Sequence, residues 1–145
     1  MRLEGTIAIV TGADSGIGQA TAEEFAKEGA DAAFTYLRDA EGAEGTRRLV
    51  EAAGRRALAI QADQRDPAAV ACLFERVSAE FGPPDVLVNA AGIGKGGAPV
   101  ADMPADQWED VIRSDLTGPF LCCQRFVRLR RALGGRQDRQ RDLRA

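Results

Sequence analysis

The 145-residue chain contains no histidine. That absence excludes every nucleophile triad that uses imidazole as its base, and it removes a principal nitrogen ligand of zinc. No metal site is expected. Cysteine is scarce, at positions Cys72, Cys122 and Cys123. An odd count with two members adjacent does not make a disulfide framework, so these read as reduced thiols of a cytoplasmic protein. No apolar run is long enough to span a bilayer. Met1-Arg2-Leu3-Glu4-Gly5 lacks the apolar stretch of a secretion signal. The net charge of −3 gives no reason to expect nucleic acid or membrane as a partner.

Charge is unevenly placed. Residues 125–145 hold eight arginines and two aspartates, a net of +6, which leaves −9 for the rest of a chain that totals −3. The segment is nearly free of apolar residues after Leu133, so residues 132–145 are expected not to form a packed element. Residues 128–145 lack an aromatic side chain for base stacking, so a nucleic-acid-binding arm is disfavoured.

The remainder alternates strand and helix. Thr6–Val10, Ala32–Tyr36, Arg56–Ile60 and Val86–Asn89 are short β-type runs. Helical spacing predicts helices over about 17–28, 41–53 and from Pro67 to near Gly82, and one long helix over 106–131. Strict alternation of this kind implies a parallel sheet with right-handed crossovers, an α/β fold. The first strand runs directly into Thr11-Gly12-Ala13-Asp14-Ser15-Gly16-Ile17-Gly18. Glycines there allow positive φ and close backbone approach, and the following helix presents free N–H groups and the positive end of its dipole. That is the chemistry of a pyrophosphate site.

These residues resemble the short-chain dehydrogenases/reductases over about Gly5 to Gln124. The glycine motif of that family is Thr-Gly-x-x-x-Gly-x-Gly. Its fourth strand runs into Asn-x-Ala-Gly or Asn-Ala-Gly, matched by Asn89-Ala90-Ala91-Gly92. The resemblance implies a Rossmann-like parallel sheet with helices on both faces, here of four strands in the order 3-2-1-4. It implies a nicotinamide dinucleotide held by Gly12, Ser15, Gly16, Ile17 and Gly18 and by Asn89, Ala90 and Gly92. Asp63 matches the family's adenine-contacting aspartate. The next position, usually a small apolar residue, is Gln64 here, a departure expected to weaken adenine contact, though its backbone could still serve. An acidic residue at the end of the second strand would select NAD, whereas a nearby arginine accommodates a 2′-phosphate. Tyr36 stands at the acidic position and Arg38 follows two residues on, so NADP is favoured over NAD.

The hydride chemistry of the family uses a Tyr-x-x-x-Lys pair, in which lysine lowers the tyrosine's pKa. Tyr36 is the single tyrosine and position 40 is Ala40, so no such pair exists and no catalytic residue is assigned. Asp115 stands where the family has an asparagine, and a supporting role and a plain helix aspartate both remain open. Trp108 and the Cys122–Cys123 pair read as helix packing, and Lys95 as a loop charge. A cofactor half-site without turnover is therefore expected, with Val86–Asn89 left as an apolar sheet edge. Three readings follow: an oxidoreductase by descent that is inactive alone, a non-catalytic NADP-binding or pairing module using helix 106–131, or a frame-shifted product. The last rests on Gln137–Arg144. Back-translated with CGN arginine and CTN leucine codons and read one base later, that stretch permits Arg-Ile-Val-Asn-Val-Ile-Ser, the type of the family's next strand. The substrate is not readable from these residues.

Overall fold

The computed structural model describes residues 1–94 and 98–142, with side chains as far as residue 134. Nine main elements follow in chain order: β1 (Ile7–Thr11), α1 (Gly16–Lys27), β2 (Asp31–Tyr36), α2 (Ala40–Ala52), β3 (Ala57–Gln61), α3 (Pro67–Glu80), β4 (Val86–Asn89), α4 (Ala105–Ile112) and α5 (Gly118–Asp142). All pairings are parallel and the strand order is β3-β2-β1-β4. The chain builds outward from β1 through β2 to β3, then crosses back to place β4 on the other side of β1. The reversal opens a crevice at the carboxyl ends of β1 and β4, where Thr11 pairs in register with Asn89.

Side-chain alternation along the strands sends neighbours to opposite faces. Ile9, Ala33 and Ile60 meet Val70, Leu73, Phe74 and Val77 of α3 and Cys122 of α5 on one face. Val10, Ala32 and Phe34 meet Ala22 and Ala26 of α1 and Ala43 and Val50 of α2 on the other. Apolar cover on both faces is why β1 and β2 are continuous apolar runs rather than alternating ones. Asp39 and Asp66 cap α2 and α3 by accepting from the N–H groups of Gly42 and Ala68. Among the described residues β4 pairs with β1 alone, and Val86, Leu87 and Val88 are only half-buried, as expected for an edge.

The long helix differs from the sequence expectation. It is interrupted at Arg113–Thr117 by a π turn and then runs on to Asp142. Pro119 supplies the physical reason, because it has no N–H to donate one turn back and its ring crowds the preceding turn. The backbone of 132–142 continues this helix. Trp108, expected in helix packing, is 58% exposed. Cys122 does pack in the core, and burial pushes its thiol up to about 11, whereas Cys123 is exposed. Lys95 lies outside the described residues.

Asp31 ties the sheet to its amino-terminal end. Its carboxylate accepts from the N–H and Nε of Arg56 and pairs with Arg55 at 3.1 Å. Burial pushes the carboxyl up, but the Arg56 hydrogen bonds and both guanidinium charges outweigh it and hold the carboxyl below its ordinary range. A depressed folded pKa stabilises above the unfolded value of about 3.9 and is lost as pH falls through the folded value. Asp31→Asn is expected to cost about 1.5–3 kcal/mol at pH 7, and to flatten the acid limb of a stability–pH curve below about pH 4. Urea melts between pH 2.5 and 7 check both.

Candidate functional site

Every predicted site residue lies at or near the carboxyl ends of the strands: in the β1–α1 loop and the first turn of α1, in the β2–α2 and β3–α3 loops, or at the last residue of β4 and the segment after it. The β1–α1 loop is shaped by two glycines for different reasons. Gly12 has φ +62°, and a Cβ there would sit 2.5 Å from the Ala91 Cα. A Cβ at Gly18 would sit 2.2 Å from the Gly12 carbonyl oxygen. Only hydrogen at both positions lets the β4 loop and the first turn of α1 close on the glycine loop. The Gly12 N–H donates to Thr35 Oγ1 at 3.1 Å, and the Ala13 N–H donates to the Thr35 carbonyl at 2.9 Å.

The open front of this loop is what a diphosphate needs. Ser15, at the N-cap of α1, makes no side-chain cap hydrogen bond. A Cβ at Gly16 would meet nothing within 4 Å, and Ile17 is 82% exposed. The start of α1 thus presents its dipole end, a hydroxyl without a cap hydrogen bond and an exposed apolar side chain. These residues fit a bound nucleotide diphosphate.

The loop after β4 is held by three side chains from three other elements or loops. Thr11, fully buried, accepts at Oγ1 from the N–H groups of Ala90 and Ala91, both at 3.1 Å. Gln64 donates from Nε2 to the Ala91 carbonyl at 3.2 Å. Asp115, in the π turn, accepts from the Ile93 N–H at 2.9 Å. Asn89 is exposed and donates to Cys123 Sγ at 3.3 Å. The structure therefore brings Gly12, Gly18, Ala90, Gly92 and Gln64 together, with Ser15, Gly16 and Ile17 at the mouth. Arg38 stands apart, exposed on the β2–α2 turn, with no side-chain partner among the described residues.

Asp63 lies beside this group, but its carboxylate is already engaged. Arg65 donates to it from its backbone N–H, Nε and a terminal nitrogen, and also reaches Asp110 of α4. The Arg65 side-chain hydrogen bonds hold the carboxyl below its ordinary range against the opposing effect of burial, with help from the Arg113 charge. Asp63 is thus an ionised acceptor. The side chain of Gln64 turns inward and is 9% exposed. Sequence reasoning missed Thr35, Arg65 and Ser114, and treated Thr11 as part of a motif rather than as the anchor of the opposite loop. Arg65 aside, whose Asp63 is two residues away, their partners are 23 to 80 residues distant, so local patterning carries no sign of them.

The family model for short chain dehydrogenase matches residues 6–136. The chain is 44% identical over 128 residues to cis-4-hydroxycyclohexanecarboxylate dehydrogenase of Sinomonas cyclohexanicum, covering 88% of this chain and 51% of that protein. It is 40% identical over 125 residues to D-threitol dehydrogenase of Mycolicibacterium smegmatis, covering 85% and 46%. Among solved structures, a short-chain dehydrogenase of Burkholderia cenocepacia J2315 in complex with NADP superposes with a TM-score of 0.84 at 41% identity, covering 88% and 52%. The chain spans about half the length of the curated relatives it matches. With the strand order, the glycine cradle and the Asn89–Gly92 loop all in the places this match requires, the chain belongs to the short-chain dehydrogenase family.

Proposed function

We propose that this chain forms the nucleotide-binding half of an NAD(P)-dependent oxidoreductase, prefers NADP to NAD, and binds without turnover when present as these 145 residues alone. The observation that carries the reading is the open front of the glycine loop at Gly16, where an added Cβ would meet nothing within 4 Å, at a helix start whose Ser15 side chain makes no cap hydrogen bond. Ser15, Gly16, Ile17 and Gly18 would hold the pyrophosphate, Asp63 and the Gln64 backbone the adenine, and Asn89, Ala90 and Gly92 the ribose side. When bound, the nicotinamide supplies hydride chemistry toward a carbonyl or alcohol. The residues present bind and orient, since no Tyr-x-x-x-Lys pair lies among them to move the proton.

The NADP preference rests on Arg38, an exposed guanidinium without a partner among the described residues, and on Tyr36 in place of a carboxylate at the end of β2. Two solved relatives contain NADP or NADPH. Fluorescence titration is expected to show saturable NADPH binding at least about tenfold tighter than NADH, equivalent to about 1.4 kcal/mol. Arg38→Ala removes that preference while leaving NADH affinity unchanged. Equal affinities in the parent chain would overturn the preference, and absence of binding by soluble monodisperse protein would overturn the reading. Pairing with another chain through the 106–131 segment would draw on Trp108, Leu116, Phe120 and Val127, which are apolar and exposed.

A second reading concerns the region where the family match stops, at residue 136. We propose that residues from about 137 onward are the family's next strand translated one base out of frame. Sequencing the coding DNA tests it. A shifted frame that stays open and encodes a downstream Tyr-x-x-x-Lys supports the proposal, and an early stop in that frame, or the lack of a downstream Tyr-x-x-x-Lys, refutes it.

A further inference from the structure

We propose that Gln64 is a positioning residue that fastens the nucleotide loop after β4 to the π turn between α4 and α5. The proposal rests on the nucleotide-site reading above for its consequence, though not for its geometry. In an unbroken α-helix the Ser114 carbonyl would accept from the N–H of residue 118. Here the Gly118 N–H donates to the Arg113 carbonyl instead. Were the wider π pattern continued, Ser114 would turn to residue 119, but that is Pro119, which has no N–H. The Ser114 carbonyl is thus orphaned by the backbone in both patterns, in a residue that is 5% exposed. A buried carbonyl without a donor is costly.

Gln64 supplies the donor. Its Nε2 lies 2.8 Å from the Ser114 oxygen and 3.2 Å from the Ala91 oxygen. The amide nitrogen has two hydrogens, so one group spans both carbonyls. The route is open because position 118 is glycine, where a Cβ would sit 2.6 Å from the Gln64 Cγ. A small apolar side chain at position 64 could fill space but could not donate. Gln64, Gly118 and Pro119 therefore act as one device. Proline displaces the helical bond, glycine admits the side chain, and the amide converts the displaced bond into a tie between the π turn and the Asn89–Gly92 loop. The same π turn carries Asp115, which accepts from Ile93, so the loop is pinned to this turn twice.

The Gln64 Oε1 atom is buried and has no partner among the described residues. The tie thus acts through donation, which allows it to be separated from shape. Gln64→Met keeps length and removes the donor. Gln64→Glu presents a carboxyl that donates when protonated and repels both carbonyls when ionised. Burial against two acceptor oxygens favours the protonated form and raises its pKa above the ordinary value of about 4.3.

The test is amide hydrogen exchange, read as protection factors peptide by peptide between pH 4.5 and 8, with NADPH affinity measured alongside at pH 8. Gln64→Met is expected to lose at least about tenfold protection over residues 90–93 and 114–117 at every pH, with β1 and β2 unchanged. Gln64→Glu is expected to keep that protection at low pH and lose it as pH rises. NADPH binding by Gln64→Met is expected to weaken about tenfold. The proposal is overturned if neither variant moves residues 90–93 relative to β1 and β2, or if Gln64→Glu shows no more pH dependence there than the parent chain. Should the parent chain fail to bind NADPH while the exchange pattern holds, the nucleotide-site reading falls and the tie stands.

Discussion

Gly12→Ala is expected to abolish NADPH binding and lower the melting temperature by roughly 10 °C, whereas Gly16→Ala lowers it by about 3 °C and weakens binding about tenfold. The two glycines sit in one loop with φ of +62° and +55°, so both substitutions incur about 1–2 kcal/mol for placing an L-residue in the left-handed region. Their surroundings separate them. At Gly12 the added methyl would lie 2.5 Å from the Ala91 Cα and 2.9 Å from the Ala91 N, which are backbone atoms. Those atoms are held by the Thr11 hydroxyl and cannot rotate away. The loop after β4 must move as a unit, adding the 1–3 kcal/mol typical of overpacking. At Gly16 the methyl enters open space at the mouth of the cradle, so its effect falls on the ligand rather than on the fold. Thermal melts paired with NADPH titration check this. Equal destabilisation by the two variants would show that β4 does not close on the glycine loop as described.

Thr11→Val is expected to destabilise the chain by about 2–4 kcal/mol, although it changes neither volume nor strand propensity appreciably. The hydroxyl oxygen is the acceptor for two consecutive N–H groups, Ala90 and Ala91, from a residue with no exposed surface. Valine leaves two donors in the crevice without this acceptor, each costing about 1–3 kcal/mol unless water enters. Thr11→Ser keeps the oxygen and removes one methyl, for which about 1 kcal/mol is expected. Urea denaturation of the three proteins decides the matter. A serine variant as unstable as the valine variant would assign the effect to packing rather than to hydrogen bonding. NADPH affinity is expected to follow stability in rank, because the same two N–H groups set the position of the loop facing the glycine cradle.

Most strands and helices could be placed from local pattern because each has its own signal. Val86–Asn89 is an apolar run between Pro84-Asp85 and glycines, and Pro67 follows a capping aspartate, Asp66. The long helix shows where such signals fail. Its apolar spacing continues through Arg113–Thr117, so a periodicity reading passes over the π turn, and only the proline at position 119 hints at a break. The backbone of α5 continues to Asp142, through residues whose composition gives no apolar periodicity to mark a helix. Trp108 misled for a related reason. Aromatic character suggests burial, but which face of α4 meets the core depends on where β4 and the loop before α4 deliver it.

The sequence by itself determined the α/β alternation, the position and identity of the glycine loop, the Asn89–Gly92 match and the membership in a family, because these depend on residues adjacent in the chain and on their intrinsic backbone freedom. It also determined that no Tyr-x-x-x-Lys pair is present. The tertiary structure alone decided that Thr11 anchors the loop after β4, that Arg65 holds Asp63 ionised, and that Gln64 reaches the carbonyl freed by Pro119. The first and third join groups on separate elements or loops, and the second is completed by Asp110 of α4, which Arg65 also reaches. Their pairing depends on the parallel register that sets Thr11 beside Asn89, and on the crossover that carries the chain from β3 across to β4.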